Sequence, residues 1–409
     1  MAGETGMSRT DLDRAWQFSQ EQVRELIQRH PGYYPMYTVN GRWGAEGELW
    51  TRWCDGFLPG MMWLFALAGE GGWGEEAKRY TRPLEERKHD TTVHDLGFIF
   101  LSSYARWYEL CREPSLMDDV AVAAMALRQR FQKAGGYIAS FVGPHSLFID
   151  IMMNVPILFV AAHWLRKRDA LPQDPMVEKW GYETPGQAAE DLWHVGWQHC
   201  VTSQKYLVRQ DGSTVHEAVF NPTTGQFVRE STHQGASAES CWSRGQAWAL
   251  YGFARCFRLT GARELLDTAV RCADYFLNHL PEDNVPPWDF SLVGQADAQR
   301  DSSAAAIAAS GLWTLADVLE TWADTDAGES DRQERRDRAE RYRTASAAIT
   351  QALSSPHFLA VDEPEWEGIL KHGVYHLPKG LGVDESVIWG DHYFVESLYK
   401  WRTGKDVPY

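Results

Sequence analysis

The sequence has few basic residues for its acidic content. Its 40 Lys and Arg residues face 56 Asp and Glu residues, which gives a formal net charge of −16. A net negative field disfavours nucleic acid and anionic membranes as the main partner, and we expect neither. If the ligand is itself an anion, its site must supply local positive charge against that field.

Signals for export and membrane insertion are also missing. The first residues, MAGETGMSRTDLDRAW, lack the basic start and apolar core of a secretory signal. The longest apolar run, around Asp150, is interrupted by Asn154 and Pro156 and falls short of the roughly 18–20 residues of a membrane span. The six cysteines are scattered and form no CxxC pair. We therefore expect a cytoplasmic protein with reduced thiols.

The common cofactor motifs are absent as well. The sequence contains no HExxH, no Walker motif, no GxSxG and no dinucleotide fingerprint. Candidate catalytic residues are therefore identified by their side-chain chemistry and by the residues around them.

Helical periodicity dominates the 409 residues. No long linker divides the chain, so we expect one domain over residues 1–409, and about twelve helices with long connections suit an all-α (α/α)6 barrel. Periodicity alone leaves an α-solenoid or an irregular bundle open. The predicted helices span 12–29, 57–69, 75–88, 97–111, 117–132, 151–166, 187–203, 244–259, 262–279, 302–322, 334–353 and 391–402.

One stretch breaks the helical pattern. In STVHEAVFNPTTGQFVRE, apolar and polar residues alternate on both sides of NPTTG. This alternation predicts a β-hairpin or long-loop excursion around residues 214–231. Its flanks hold His216 and lead to the HQG segment with Gln234, and long ordered loops are often functional.

Two carboxylates precede apolar helical runs. Asp150 lies within SLFIDIMMNVPILFVAA, and Asp95 lies within TTVHDLGFIF. Each acid is either a helix N-cap or a carboxylic acid that its apolar setting keeps protonated. If Asp95 is ionised beside Asp150, its charge helps to keep Asp150 protonated, so we expect the two acids to share one site.

Arg244 is the most unusual cation in the sequence. It falls in the first turn of a predicted helix that Ser243 could cap, where a positive charge opposes the helix dipole. It therefore forms either a buried structural ion pair or a guanidinium fork for a ligand carboxylate. Among the 19 tryptophans, Trp53 and Trp248 lie beside polar residues and are candidates for stacking on sugar rings, whereas core packing is the alternative.

Several segments, in order and over nearly the whole chain, resemble the unsaturated glucuronyl hydrolases of glycoside hydrolase family 88. The matching segments are WCDGFLPG, HDLGF, FIDIMMNVP, DGSTVHEAVFNPTTG, HQG, SRGQAWALYGF, PPWDF, RDSSAAAIAASGL and GVDESVIWGDHYFVE. The resemblance implies the (α/α)6 barrel and an enzyme without metal or organic cofactor. It also implies removal of the 4,5-unsaturated uronic acid that polysaccharide lyases leave at the non-reducing end of oligosaccharides.

The resemblance also implies roles for individual residues. Asp150 corresponds to the general acid and base, and Asp95 to the second essential carboxylate. Phe141 stands where many family members have Trp, which places the subsites beyond the unsaturated ring in question. The implied substrate-binding residues are Trp53, His94, Phe141, His216, Gln234, Arg244 and Trp248.

Other functions share this fold. An unsaturated rhamnogalacturonyl hydrolase of the sister family has the same chemistry, and HQG with SRGQAW favours the glucuronyl branch. A sugar 2-epimerase would need paired histidines instead of Asp95 and Asp150, and a glycan-binding barrel without activity would not need both acids and Arg244. The sequence identifies neither the glycan nor whether the protein forms a homo-oligomer.

Overall fold

The computed structural model describes residues 8–44, 52–322 and 329–408, which are predominantly helical. Its α-helices are α1 Arg9–Arg29, α2 Phe57–Leu67, α3 Trp73–Thr81, α4 Leu96–Ser102, α5 Tyr104–Cys111, α6 Pro114–Arg128, α7 Pro156–Leu165, α8 Pro175–Trp180, α9 Pro185–Leu207, α10 Ser243–Thr260, α11 Arg263–Asn278, α12 Ser302–Thr321, α13 Glu329–Leu353 and α14 Ile388–Thr403. Short 3-10 helices span Arg82–His89, Ile149–Met153, Phe290–Leu292, Ala360–Asp362 and Leu377–Lys379.

Six of these helices close an inner ring. Around the ring, α2 packs on α4, α4 on α7, α7 on α10, α10 on α12, α12 on α14, and α14 on α2. The inner helix α2, FLPGMMWLFAL, is apolar nearly all round, which is typical of a helix that is buried on every side. The helices α1, α3, α6, α9, α11 and α13 pack outside them. The predicted (α/α)6 barrel is confirmed.

The strands are short and lie in the connections between helices. They are β1 Phe131–Gln132, β2 Tyr137–Ile138, β3 Ser146–Phe148, β4 Glu217–Phe220, β5 Phe227–Ser231, β6 Gly373–His376 and β7 Leu381–Glu385. The predicted hairpin is present as antiparallel β4 and β5, with a register shift between Val219 and Phe220. The sequence did not predict that β3 pairs with β4 to make a three-stranded sheet.

Three predicted helices are interrupted. The predicted helix 97–111 breaks at Ser103, whose ψ of −77° lies outside the usual helical range. The predicted helix 75–88 becomes a 3-10 helix from Arg82, next to Pro83. The predicted helix 151–166 is a 3-10 helix first and becomes α7 at Pro156. The first 3-10 residues after β3 carry Asp150, so this break matters for the site.

Two glycines hold the Asp150 segment between inner helices. A Cβ on Gly97 of α4 would lie 2.4 Å from the Asn154 Cα, and a Cβ on Gly252 of α10 would lie 2.6 Å from the Met152 carbonyl oxygen. Asn154 adds a polar tie, because its Oδ1 accepts a hydrogen bond of 2.8 Å from the Phe98 amide. The segment that carries Asp150 is therefore fixed to both α4 and α10.

The helix α12 is apolar and long enough to cross a membrane by length and composition. In the structure, 94% of its residues in the most apolar window are buried, which is typical of a core helix. The prediction that residues 1–409 form one domain includes 1–7, 45–51, 323–328 and 409, which lie outside the described residues, and it stays a prediction.

Candidate active site

The pocket opens at the end of the barrel where α4 and α10 begin and α7 follows the Asp150 segment. It encloses about 850 Å³ including its open mouth, within the usual range for small-molecule sites. Eight of the nine residues singled out in the sequence line it, and His216 does not. The lining residues are Trp53, His94, Asp95, Phe98, Phe141, Val142, Phe148, Asp150, His233, Gln234, Trp242, Arg244, Trp248, Tyr375, His376 and Lys379.

Asp150 lies in the first turn of the Ile149–Met153 helix, and the N-cap of that helix is Phe148. The N-cap interpretation of Asp150 is therefore wrong. Its side chain is 16% exposed, and its Oδ1 is buried with no hydrogen-bond partner among the described residues. Burial raises the pKa of Asp150 to about 7, although the Arg244 charge and nearby backbone amides oppose the shift. The expectation of a raised pKa in an apolar setting is confirmed.

Asp95 occupies the N-cap position of α4, but its side chain makes no capping hydrogen bond. The capping interpretation is correct for the position and wrong for the side chain, which faces the pocket instead. Burial raises the pKa of Asp95 well above its usual range, and the charge of Asp150 raises it further.

His94 connects the two acids. Its Nδ1 accepts a hydrogen bond of 3.0 Å from the Phe141 amide, so the ring hydrogen is assigned to Nε2. Nε2 lies 3.4 Å from Asp95 Oδ1 and 3.7 Å from Asp150 Oδ1. Burial and the Arg130 charge hold the pKa of His94 well below its usual range. A neutral N–H donor therefore lies between two carboxyl groups, and the prediction that the two acids share one site is confirmed.

Arg244 is both an ion-pair partner and a pocket residue. One of its terminal nitrogens lies 3.1 Å from Asp301 Oδ2 and also donates to the Val374 carbonyl oxygen. The other donates to Gln234 Oε1 at 2.6 Å and to the Tyr375 carbonyl oxygen at 2.8 Å. All four terminal N–H groups are therefore engaged, and of these partners only the Gln234 side chain can rotate away for a ligand.

His216 lies behind the pocket wall. Its Nδ1 accepts hydrogen bonds from the backbone amides of His233 and Gln234, at 3.0 and 3.2 Å. Its ring packs 4.8 Å from Phe148 and 4.7 Å from Trp242, between ring centroids. The expectation that His216 contacts the ligand stays a prediction: His216 is not among the lining residues, but its Nε2 is buried with no hydrogen-bond partner among the described residues. Its contacts shape the turn that presents Gln234.

The aromatic residues form a wall and a rim. Trp53 and Trp248 both pack against Phe98, at centroid distances of 5.5 and 5.1 Å. Trp248 is only 1% exposed, so core packing accounts for most of its ring. Phe141 is 38% exposed at the mouth and lies nearly parallel to the His94 ring, 5.8 Å away.

Sequence reasoning missed several basic residues of the pocket. His233 follows the β4–β5 hairpin, while His376 and Lys379 lie in and just after β6. Burial lowers the pKa of His376 to about 4, and the charges of Lys379, Arg244 and His233 act in the same direction. His376 is therefore neutral near neutral pH, and Arg244 and Lys379 are the cations that this wall offers to an anionic ligand in a protein whose net charge is −16. In the sequence, His233 falls in the HQG segment, and His376 and Lys379 fall in KHGVYHLPKG.

The described residues contain no group of three or more His, Cys, Asp and Glu side chains arranged to hold a metal ion.

Comparison with known proteins identifies the family. Residues 20–282 match the model described as Glycosyl Hydrolase Family 88. The chain belongs to this family. It is 33% identical over 367 residues to the unsaturated glucuronyl hydrolase of Bacillus sp. (strain GL1), covering 87% of each protein.

Two further proteins are similar to this chain along nearly their full length. The unsaturated chondroitin disaccharide hydrolase of Streptococcus pyogenes serotype M1 is 29% identical, with 97% of this chain and 92% of the relative covered. The crystal structure of an unsaturated glucuronyl hydrolase specific for heparin superposes with a TM-score of 0.81 at 27% identity, covering 98% of this chain and 100% of that one. This family 88 chain is therefore a glycoside hydrolase, and the match favours family 88 over the sister family.

Proposed function

We propose that this family 88 hydrolase removes the 4,5-unsaturated uronic acid from the non-reducing end of oligosaccharides produced by polysaccharide lyases. The observation that carries the proposal is Asp150, a buried carboxyl group with a pKa of about 7 in a pocket with a basic wall. The similarity to an unsaturated glucuronyl hydrolase and to an unsaturated chondroitin disaccharide hydrolase supports it.

The proposed chemistry begins at a vinyl ether. In the unsaturated ring, C4=C5 is conjugated to the carboxylate, and the ring oxygen is bonded to C5. Transfer of the Asp150 proton to C4 leaves an oxocarbenium ion at C5 that the ring oxygen stabilises. Water then adds to C5 and returns a proton to the Asp150 carboxylate. The resulting hemiketal opens and releases the remaining sugar, so the bond at C1 breaks without direct displacement.

These steps require that Asp150 is protonated before the transfer to C4 and ionised when water adds to C5. A pKa near the working pH meets both requirements, because it balances the fraction protonated against the ease of proton transfer. Free Asp titrates near ~3.9 and would be ionised at neutral pH. Desolvation in the apolar segment is thus the physical source of the acid.

The basic wall suits the substrate carboxylate. Arg244 is anchored by Asp301 and by two backbone carbonyls, so its position is fixed before the ligand binds. In this proposal, Gln234 rotates and exchanges its hydrogen bond with Arg244 for contacts to the uronate. This exchange contributes less to the free energy of substrate binding than a guanidinium group without prior partners would, because one hydrogen bond is lost for each one gained.

A panel of unsaturated disaccharides tests the proposal. The panel comprises products of chondroitin, hyaluronan, heparin, gellan, ulvan and pectin lyase digests, and the readout is loss of the ultraviolet absorbance of the conjugated double bond. We expect absorbance loss with at least one disaccharide and none with the Asp150→Asn variant. Absorbance that persists for every substrate would refute the proposal, and preference for the pectin product would favour rhamnogalacturonyl hydrolase activity. Epimerised reducing sugar without absorbance loss would indicate a sugar 2-epimerase.

A further inference from the structure

Arg130 is a half-buried cation near His94 and Asp95 that takes no direct part in the proposed hydration reaction. It follows the end of α6 and precedes β1. Its guanidinium donates from Nε to the Ala139 carbonyl oxygen and from one terminal nitrogen to the Thr91 carbonyl oxygen, both at 2.8 Å. The other terminal nitrogen donates to the Ser140 carbonyl oxygen. Each of its three nitrogens thus binds a different backbone carbonyl.

These carbonyls belong to two separate segments that meet at the active site. Thr91 precedes His94 and Asp95 by three and four residues, and Ser140 directly precedes Phe141. The two segments also meet through the hydrogen bond from the Phe141 amide to His94 Nδ1. Arg130 therefore fastens the segments that fix both the orientation and the tautomer of His94.

The charge of Arg130 is not paired in the usual way. In residues 8–44, 52–322 and 329–408, no carboxylate forms a salt bridge with it within 4.0 Å. Its field instead acts on the site, where it opposes protonation of His94 and favours ionisation of Asp95. The other charged or titratable groups that act on His94 are His199 and His216, and those that act on Asp95 are Asp150, Arg87 and Asp90.

We propose that Arg130 is a positioning residue for the proposed hydration reaction. It clamps the Thr91 and Ala139–Ser140 carbonyls and thereby keeps the neutral His94 Nε2–H directed between Asp95 and Asp150. This inference rests on the proposed function, but the clamp itself is a property of the unliganded protein. It is therefore tested both with and without turnover.

The turnover test uses Arg130→Ala with Arg128→Ala as the matched control. Arg128 is two residues away, but it pairs with Asp191 at 2.6 Å and lies over Trp180, outside the pocket. We expect Arg130→Ala to lower kcat roughly 10–100-fold, the cost of a misplacement of about 1 Å, with KM changed less than about threefold. Arg128→Ala should lower the melting temperature and leave kcat unchanged.

Chemical rescue separates a positioning role from a general loss of structure. Millimolar guanidinium should restore part of the kcat of Arg130→Ala, because the ion can donate to the same three carbonyls. Urea, which has similar N–H groups but no charge, should restore less. If Arg130→Ala fails to fold, Arg130→Lys takes its place: it keeps the charge but cannot reach three carbonyls, and its kcat should fall in the same direction. Unchanged kcat in either variant, or a loss that guanidinium does not restore in Arg130→Ala, would overturn the proposal.

A second readout needs no substrate. Imidazole nitrogen NMR of the free wild-type protein should show His94 as the neutral tautomer with hydrogen on Nε2. In Arg130→Ala, or in Arg130→Lys, His94 should show a mixture of tautomers. Identical His94 signals in wild type and variant would overturn the clamp even if the wild type is fully active. Failure of the wild type to consume any unsaturated disaccharide would instead refute the proposed function and leave the NMR result to decide the clamp.

Discussion

Two buried clusters of charged residues in this barrel contrast in how their acids are treated. In the pocket, Asp150 has one oxygen without a partner among the described residues, and its pKa is raised to about 7. Glu396 of α14 is more deeply buried, with its side chain 1% exposed, but its pKa is held well below the usual range by Lys400, His392 and Arg106. Burial alone therefore does not decide the state of an acid; its partners do.

The second cluster, which we call the inner ion cluster, consists of Arg106, Tyr251, Glu396, Lys400 and Asp406. Glu396 accepts hydrogen bonds from Arg106, Tyr251 and Ser310. Lys400 lies 2.9 Å from Asp406 Oδ1. Each charge has an opposite charge and further hydrogen bonds, which is the condition for a buried ion pair to be tolerated. We therefore expect the pocket acids to take part in the reaction and the inner ion cluster to stabilise the fold.

The largest expected effect is on turnover by Asp150→Asn. Asn has nearly the same shape but cannot transfer a proton, so kcat should fall by the ~10²–10⁴-fold of a general acid and base. The measurement is single-substrate kinetics by ultraviolet absorbance, with circular dichroism to confirm the fold. Retention of more than about a tenth of the wild-type kcat would remove Asp150 from that role.

The same variant should change how stability depends on pH. A carboxyl group whose pKa rises on folding stabilises the folded state fully below its unfolded pKa, near 4, and this stabilisation is lost as the pH rises through about 7. Asp150→Asn should therefore match the wild type at pH 4 and exceed it at pH 8, by up to about 4 kcal/mol in the free energy of unfolding. Denaturant titrations at both pH values measure this difference. Equal stability of the two proteins at pH 8 would contradict the raised pKa.

Glu396→Gln should have the opposite profile. Removing one partner of a buried ion pair leaves the others uncompensated and costs about 3–5 kcal/mol. For a domain of this size we expect the melting temperature to fall by roughly 5–10 °C, while kcat per folded molecule stays unchanged. A Glu396→Gln enzyme that melts like the wild type but has lost turnover would reverse the assignment of the two clusters.

Arg244→Lys should combine both effects, because Arg244 belongs to the pocket and is also tied to Asp301. A single ammonium cannot serve Asp301 and the Val374 and Tyr375 carbonyls together. We expect kcat/KM to fall roughly 10–100-fold, from the loss of one charge-assisted bond, together with a lower melting temperature. The control is Asp301→Asn, which removes the ion pair but keeps a side-chain oxygen for the N-cap of α12. If both variants lose only stability, Arg244 is a structural residue.

Some features of the fold and of the site could be predicted from the sequence alone. Asp150 was visible because an acid in an apolar run is chemically conspicuous, and Arg244 because a cation opposes the dipole of its own helix. Helical periodicity predicted an all-α fold, and the resemblance to family 88 selected the barrel among the all-α folds. Each of these features can be recognised from the sequence without knowledge of the tertiary structure.

Other features depend on closure of the barrel. His376 and Lys379 lie in the β6–β7 region, between α12 and α14 in the sequence. This region comes to lie beside Arg244 only when α12 and α14 complete the inner ring. His216 and Gln234 were both predicted to bind the substrate, but only Gln234 is among the lining residues of the pocket. Spacing cannot tell whether a loop histidine faces the pocket or supports its wall. Arg130 gave no signal, since its partners are backbone carbonyls, which no sequence pattern marks.

The smallest expected effect tests the relationship between the two acids. The sequence suggested that Asp95 is ionised and keeps Asp150 protonated, in which case Asp95→Asn would lower the pKa that governs the alkaline limb of kcat/KM. The structure favours a different order. Asp95 is the more buried acid, with its side chain 5% exposed against 16% for Asp150, and its pKa is raised further by the charge of Asp150. We therefore predict that Asp150 ionises first, while Asp95 is still neutral.

Replacing a neutral acid with a neutral amide should then leave the alkaline limb within about 0.3 pH units of its wild-type position, or about 0.4 kcal/mol. The two orders of ionisation predict clearly different pH profiles, because the carboxyl groups of Asp95 and Asp150 are close together. One nitrogen of His94 lies 3.4 Å from the first and 3.7 Å from the second. Their nearest oxygens are thus no more than about 7 Å apart, where a full negative charge on Asp95 would contribute roughly 2 kcal/mol, or between one and two pH units. Asp95→Asn should still lower kcat, because it replaces one carboxyl oxygen beside the His94 Nε2–H with an NH2 group that cannot accept a hydrogen bond. The measurement is the pH profile of the residual activity, and an alkaline limb displaced downward by a unit or more would restore the ionised Asp95 of the sequence interpretation.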